Sequence, residues 1–260
     1  MHAVPSCVVV TGASSGFGAE FARRFAQRGA DVVLVARRRD RLEELASQLQ
    51  DSGRVRAYPI AVDLAKPGAV DDLMDELAVR GLRPDGLVNC AGFGIDGPFA
   101  DADPARVTSL VQVNVTALTE LTHRLLPSIL ASGSGVLVNV ASTAAFQPIP
   151  QIALYAASKA YVRTLTEAIW QEAKGSGARI LALCPGPSRT EFFAAAGSER
   201  FNVGQMVSTD EVVDAAFDAL AHQGAGPTRI VGWRNAVQAH LPRIVPTRAA
   251  LAVTAGLTKD

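Results

Sequence analysis

Cys7-Val8-Val9-Val10-Thr11-Gly12-Ala13-Ser14-Ser15-Gly16-Phe17-Gly18 decides how the chain is read. An apolar run of strand length stops at a threonine, three glycines follow in the spacing Gly-x3-Gly-x-Gly, and helical periodicity then begins. Glycines at such a junction permit a tight turn and let the backbone approach a pyrophosphate, which rests at the positive N-terminus of the helix. Gly12, Ser14, Ser15, Gly16, Phe17 and Gly18 are therefore candidate nucleotide contacts. A glycine-rich turn by itself is compatible with a turn and nothing more. Its position in the first strand-helix unit, with a second strand ending at the expected distance, favours a dinucleotide.

Outward from that unit, short β-branched runs at 7–11, 31–36, 55–60, 86–90, 135–141, 179–184 and 228–231 alternate with longer segments of helical periodicity. The runs are apolar throughout rather than alternating, the mark of a parallel sheet covered on both faces. Right-handed crossovers then give an α/β, Rossmann-type, doubly wound fold: a mainly seven-stranded parallel sheet with helices on both faces. No repeat, low-complexity tract or linker divides the chain, so a single domain over 1–260 is expected.

Composition narrows the function. The 260 residues are 48% hydrophobic and formally carry no net charge, which gives no electrostatic footprint for nucleic acid. No apolar run approaches the roughly 20 residues of a membrane-spanning helix, and Met1 to Ser6 lack the features of a signal peptide. A cytoplasmic protein is the expectation. Cys7, Cys90 and Cys184 are far apart within apolar runs, and His2, His123, His222 and His240 are equally scattered, so buried thiols and no metal site are expected.

The second strand ends Ala36-Arg37-Arg38-Arg39. An acidic residue there would hold a ribose 2′-hydroxyl, whereas an arginine suits a 2′-phosphate. NADP(H) is therefore preferred over NAD(H), with Arg37 the first candidate and Arg38 the second; the plain alternative is a solvated helix start. After the third strand, Asp63 in Val62-Asp63-Leu64 can reach an adenine amino group or cap the next helix. Asn89, Ala91 and Gly92 end the fourth strand with small residues suited to a flat cofactor. Asn114 sits in an apolar stretch of a long helix expected over 104–130, where a buried amide must find partners.

Tyr155 and Lys159, four apart on a helix, share one face about a turn apart. An ammonium at roughly 4–5 Å and an effective dielectric near 20 would favour phenolate by about 3–4 kcal/mol, on the order of two to three pKa units. Alone, such a pair reads as a snorkelling lysine beside a ring. Lys159 is, however, one of four lysines against twenty-one arginines, and it stands where the composition would supply arginine. Ser142, after the run 136–141, can offer a hydroxyl to the same oxygen.

Thr11 to Gly18, Asn89-Cys90-Ala91-Gly92, Asn114, Ser142, Tyr155-x3-Lys159 and Pro185-Gly186 together resemble the classical short-chain dehydrogenase/reductase family, to about residue 232. Cys90 departs from the family's usual asparagine. The resemblance implies that Tyr155 exchanges a proton with the substrate oxygen, Lys159 binds the nicotinamide ribose and acidifies the phenol, and Ser142 orients the carbonyl. It further implies that Asn114 holds a water linking Lys159 to solvent, and that Pro185, Gly186, Ser188 and Thr190 grip the nicotinamide carboxamide. It adds a substrate lid around 191–207, closing on a capping box at Ser208 to Glu211, and pairing into a homodimer or homotetramer through helices at 104–130 and 152–174. Residues 233–260 form a C-terminal extension, read as one or two short amphipathic helices broken by Pro242 and Pro246. The expected activity is an NADP-preferring oxidoreductase acting on an apolar ketone or secondary alcohol. Two other readings compete: a cofactor-binding regulatory protein without turnover, and an S-adenosylmethionine methyltransferase, which Arg37 disfavours.

Overall fold

The computed structural model describes residues 4–51, 53–188, 205–222 and 224–241 together with 246, 248, 251 and 254. Seven strands, β1 (Cys7–Thr11), β2 (Asp31–Ala36), β3 (Ala57–Ala61), β4 (Gly86–Asn89), β5 (Val136–Val140), β6 (Arg179–Cys184) and β7 (Thr228–Ile230), form one sheet. Their order is β3-β2-β1-β4-β5-β6-β7, and every neighbouring pair is parallel. The order reverses between β1 and β4, which opens a cleft at the C-terminal strand ends.

Strand alternation explains why the runs are apolar throughout. Val8, Val10, Val32 and Leu34 pack on Phe21 and Phe25 of α1 (Gly16–Gln27), Leu42 of α2 (Arg39–Gln50) and Val212 of α7 (Thr209–Ala221). Val9, Val33, Val35 and Leu87 point the other way, onto Leu73 of α3 (Ala69–Val79), Leu121 and Ile129 of α5 (Leu118–Ala131) and Ile169 of α6 (Ala153–Glu172). Each of these strand residues is fully enclosed, so a polar residue at any of them would face a hydrocarbon layer.

The helix expected over 104–130 is not continuous. Pro104–Val111 (α4) is α-helical, Gln112–Ala117 shifts to the wider i→i+5 register, and α5 resumes the ordinary helix. The extra residue per turn is accommodated where Asn114 bonds outside its own helix, a typical setting for such a bulge. The capping box is formed: Ser208 Oγ accepts from Glu211 N at 3.1 Å, and Ser208 N donates to Glu211 at 2.7 Å. Of the extension, α8 (Trp233–His240) is helical and ends before Pro242. The lid stretch lies outside the described residues except 205–207. Among the described residues no helix is long and apolar enough to cross a membrane.

Candidate active site

The glycine turn works by close approach. Gly12 and Gly16 have φ of 69° and 53°, in the left-handed region. A Cβ on Gly18 would lie 2.3 Å from Gly12 O, and one on Gly12 would lie 3.0 Å from Ala91 N, so helix, turn and β4 end are pressed together. Thr11 Oγ1 fixes that contact by accepting from Cys90 N and Ala91 N, both at 3.0 Å. Ser15, the N-cap of α1, makes no side-chain cap bond. The Ser14 and Ser15 hydroxyls instead accept from Arg38: Nη2 lies 2.9 Å from each, and Nε 3.1 Å from Ser14 Oγ.

A cavity of about 870 Å³ runs along the strand ends from this turn. Gly12, Ser14, Ser15, Gly16, Phe17, Arg37, Arg38, Asp63, Leu64, Ala91, Gly92, Ser142, Tyr155, Lys159, Pro185, Gly186 and Ser188 all line it. Arg37 is exposed and Arg38 half-buried, so the sequence ranking of the two is reversed in how firmly each is held. Asp63 lines the cavity, and its Oδ1 accepts from Ala65 N at 3.1 Å within its own turn; the N-cap of the helix after Pro67 is Gly68, with no side-chain bond.

At the far end Lys159, only 5% exposed, donates from Nζ to Val140 O at 2.8 Å and stands 5.8 Å from the Tyr155 ring centre. Ser142 Oγ accepts from Ala144 N at 3.1 Å, which fixes the hydroxyl beside Tyr155. Asn114 lies behind the wall rather than in it. Its amide closes on the Phe93 backbone in both directions, accepting at 3.1 Å and donating at 3.0 Å, and donates to Ser158 Oγ.

Three sequence candidates are not walls. Gly18 is under the turn, Asn114 is behind Gly92, and Asn89 points into the protein, where Nδ2 donates to Asn139 Oδ1 at 2.9 Å and to Thr122 at 3.0 Å. Asn139 continues to Thr166 Oγ1 at 2.9 Å, so Asn89 belongs to a buried polar chain joining β4, β5 and α6. Thr190 lies outside the described residues. Sequence reasoning missed Arg41, Gln147, Asn235, Gln238 and Thr254, which also line the cavity. Arg41, in the first turn of α2, and Gln147, five residues after Ser142, were findable; the others lie where the chain returns from afar.

Residues 6–200 match the family model described as short chain dehydrogenase. The chain belongs to the short-chain dehydrogenase family. Over 187 residues it is 38% identical to sulfoacetaldehyde reductase 2 of Chromohalobacter salexigens, spanning 71% of this chain and 73% of that one. A short-chain dehydrogenase from Sphingobium yanoikuyae, in complex with NADPH, superposes with a TM-score of 0.78 at 31% identity, covering 92% of this chain and 96% of that one. The 3-ketoacyl-(acyl-carrier-protein) reductase from Brucella melitensis, complexed with NADH, gives 0.75 at 31% identity over 88% and 98%.

This short-chain dehydrogenase is thus an NAD(P)-dependent oxidoreductase acting between C=O and CH–OH groups. The glycine cradle, which tolerates no added Cβ at Gly18, and the long cavity fit a dinucleotide. Its phenol is not acidified as the sequence suggested. Burial pushes Tyr155 up to about 12, against a smaller lowering by the Ser142 hydrogen bond. Burial likewise pulls Lys159 down to about 8. The ammonium is turned to Val140 O, and desolvation of the phenolate sets the direction.

Proposed function

We propose that this chain is an NADPH-preferring ketone reductase using Ser142, Tyr155 and Lys159, with Asn114 in support. The observation that carries this reading is the placement of those three side chains on the wall of the cavity that also contains the glycine turn. The cofactor-holding groups in this reading are the turn at Gly12 to Gly18, Asp63 and Leu64 toward the adenine, Ala91 and Gly92 beneath it, and Pro185 to Thr190 at the nicotinamide. Bound NADPH supplies the hydride that converts the carbonyl carbon to a carbinol carbon. Tyr155 Oη gives its proton to the carbonyl oxygen; kept high by burial, the phenol is a filled donor at neutral pH, which suits reduction. The Ser142 hydroxyl orients that oxygen, and Lys159, still largely cationic at pH 7, binds the ribose.

Arg37 and Arg38 support the 2′-phosphate, because Ala36 stands where an NAD-selective site keeps a carboxylate. Phe93, Val113, Ile149 and Ile152 on the cavity wall support an apolar ketone. In the same reading the chain is one domain whose helices α4 to α6 pair two copies, which sedimentation would show as a dimer or tetramer. Two variants test the chemistry. Tyr155→Phe is expected to lose about 10²–10⁴ in kcat/KM while the protein still binds NADPH; a loss of only a few-fold overturns the assignment. Arg38→Ala is expected to weaken NADPH well beyond NADH in fluorescence titration, and equal weakening of both removes the preference.

A further inference from the structure

Beyond Tyr155 the cavity is walled by Phe93, Val113, Ile149 and Ile152, and two glutamines face into it: Gln147, directly after the turn Thr143–Phe146, and Gln238 on α8. Helix α8 packs on that turn, with the His240 ring 5.9 Å from Phe146, so residues ninety apart in sequence meet at one junction. Both glutamines are half-buried, and among the described residues neither side-chain amide has a hydrogen-bond partner. Facing the cavity without a protein partner, both carboxamides are left available to whatever occupies it. Neighbouring polar groups of the wall are not spare in this way: Asn235 is saturated by Gln205 and Val231, and Thr254 bonds Pro148 O.

Charge is distributed unevenly along the cavity. Arg37, Arg38, Arg41 and Asp63 follow β2 and β3, and Lys159, one of whose hydrogens goes to Val140 O, lies beside Tyr155. Around Gln147 and Gln238 no described wall residue is charged. An anion placed there would lose its hydration with no charged group on the wall to meet it, the Arg163 guanidinium being on Phe146 and outside the wall. A neutral donor-acceptor group, by contrast, would be matched by amides that both give and accept. We propose that Gln147 and Gln238 are specificity residues that receive a neutral hydrogen-bonding group, a hydroxyl or carboxamide, on an otherwise apolar ketone. This rests on the ketone-reductase reading and names the substrate class of that same site.

The test compares NADPH-dependent reduction of benzylacetone, its para-carboxamide and its para-sulfonate, with calorimetric binding of the three product alcohols alongside. The carboxamide should exceed benzylacetone by about tenfold in kcat/KM, and the sulfonate should fall below it. In Gln147→Leu/Gln238→Leu the carboxamide-to-benzylacetone ratio should drop about 10- to 100-fold, in turnover and in alcohol binding alike. A sulfonate handled as well as the carboxamide, or a ratio unmoved by the double substitution, overturns the proposal. Ketones reduced without the preference sink it and leave the reductase reading intact. Glutamine-dependent binding of the carboxamide alcohol with no reduction of any ketone does the reverse.

Discussion

Lys159 is retained inside the protein against its own solvation. Its ammonium has one hydrogen bond, to Val140 O, and burial brings its pKa from 10.5 to about 8. Folded, the group gives up its proton near pH 8; unfolded, near 10.5. Between those values the unfolded chain holds the extra proton, so stability rises with pH across that window and the full penalty stands below pH 8. Against the parent, Lys159→Met should therefore gain about 3 kcal/mol in relative stability on going from pH 10.5 to pH 7, measured by urea unfolding at both. A difference that stays constant with pH would mean the ammonium is solvated after all. The Tyr155–Lys159 pair was legible because helical spacing alone puts both on one face. The acidified phenol was a misreading, since desolvation depends on how closely the ring is covered, and helical spacing does not show that Ala144, Ile152 and Ala156 close on it. The direction of the Asn89 side chain was hidden for a related reason. A strand-end asparagine can face cleft or core, and only Asn139 and Thr122 settle which.

Whole elements divide in the same way between local and long-range causes. All seven strands were expected from β-branched runs; β1, β2 and β6 have the expected ends, and the other four differ by a residue or two where hydrogen bonding rather than hydrophobicity stops the ladder. The wide turn at Gln112–Ala117 left no such trace, because what stabilises it is the Phe93 backbone some twenty residues earlier. Helix α8 is tied to the turn after β6 by one buried amide. Asn235, 1% exposed, accepts from Gln205 N at 2.8 Å and donates to Gln205 O at 3.0 Å and Val231 O at 2.9 Å. It fits so closely against the turn after β6 that a Cβ on Gly186 would lie 2.3 Å from its Nδ2. Asn235→Leu leaves three backbone groups without their partner in a closed space and should cost about 2–4 kcal/mol in urea unfolding. The same substitution should raise the KM of any substrate, since α8 forms one wall of the cavity. A loss under about 0.5 kcal/mol would show that water replaces the amide and that α8 is anchored elsewhere.

For the molecule as a whole, the sheet order follows from alternating strands and helices plus one handedness rule, which is why it was readable before any contact was known. The same burial that hides both sheet faces also sets an alkaline limit. Cys7 and Cys184 are enclosed at the two ends of the sheet's strands, 8% and 0% exposed, and burial raises each thiol from 9.0 to about 12. Tyr155 rises from 10.0 to about 12 for the same reason. In these groups the folded state keeps a proton that the unfolded chain releases, so their stabilisation is full below pH 9 and is lost as pH climbs toward 12. Lys159 pulls the other way only up to about 10.5. The two thiols together should steepen the fall by about 3 kcal/mol per pH unit between the two limits. Unfolding free energy followed from pH 8 to 11 should therefore decline less steeply in Cys7→Ala/Cys184→Ala than in the parent, whatever the cavity cost at neutral pH. Parallel slopes would mean that hydroxide reaches both thiols in the folded state, and that the two faces of the sheet are not sealed as the packing requires.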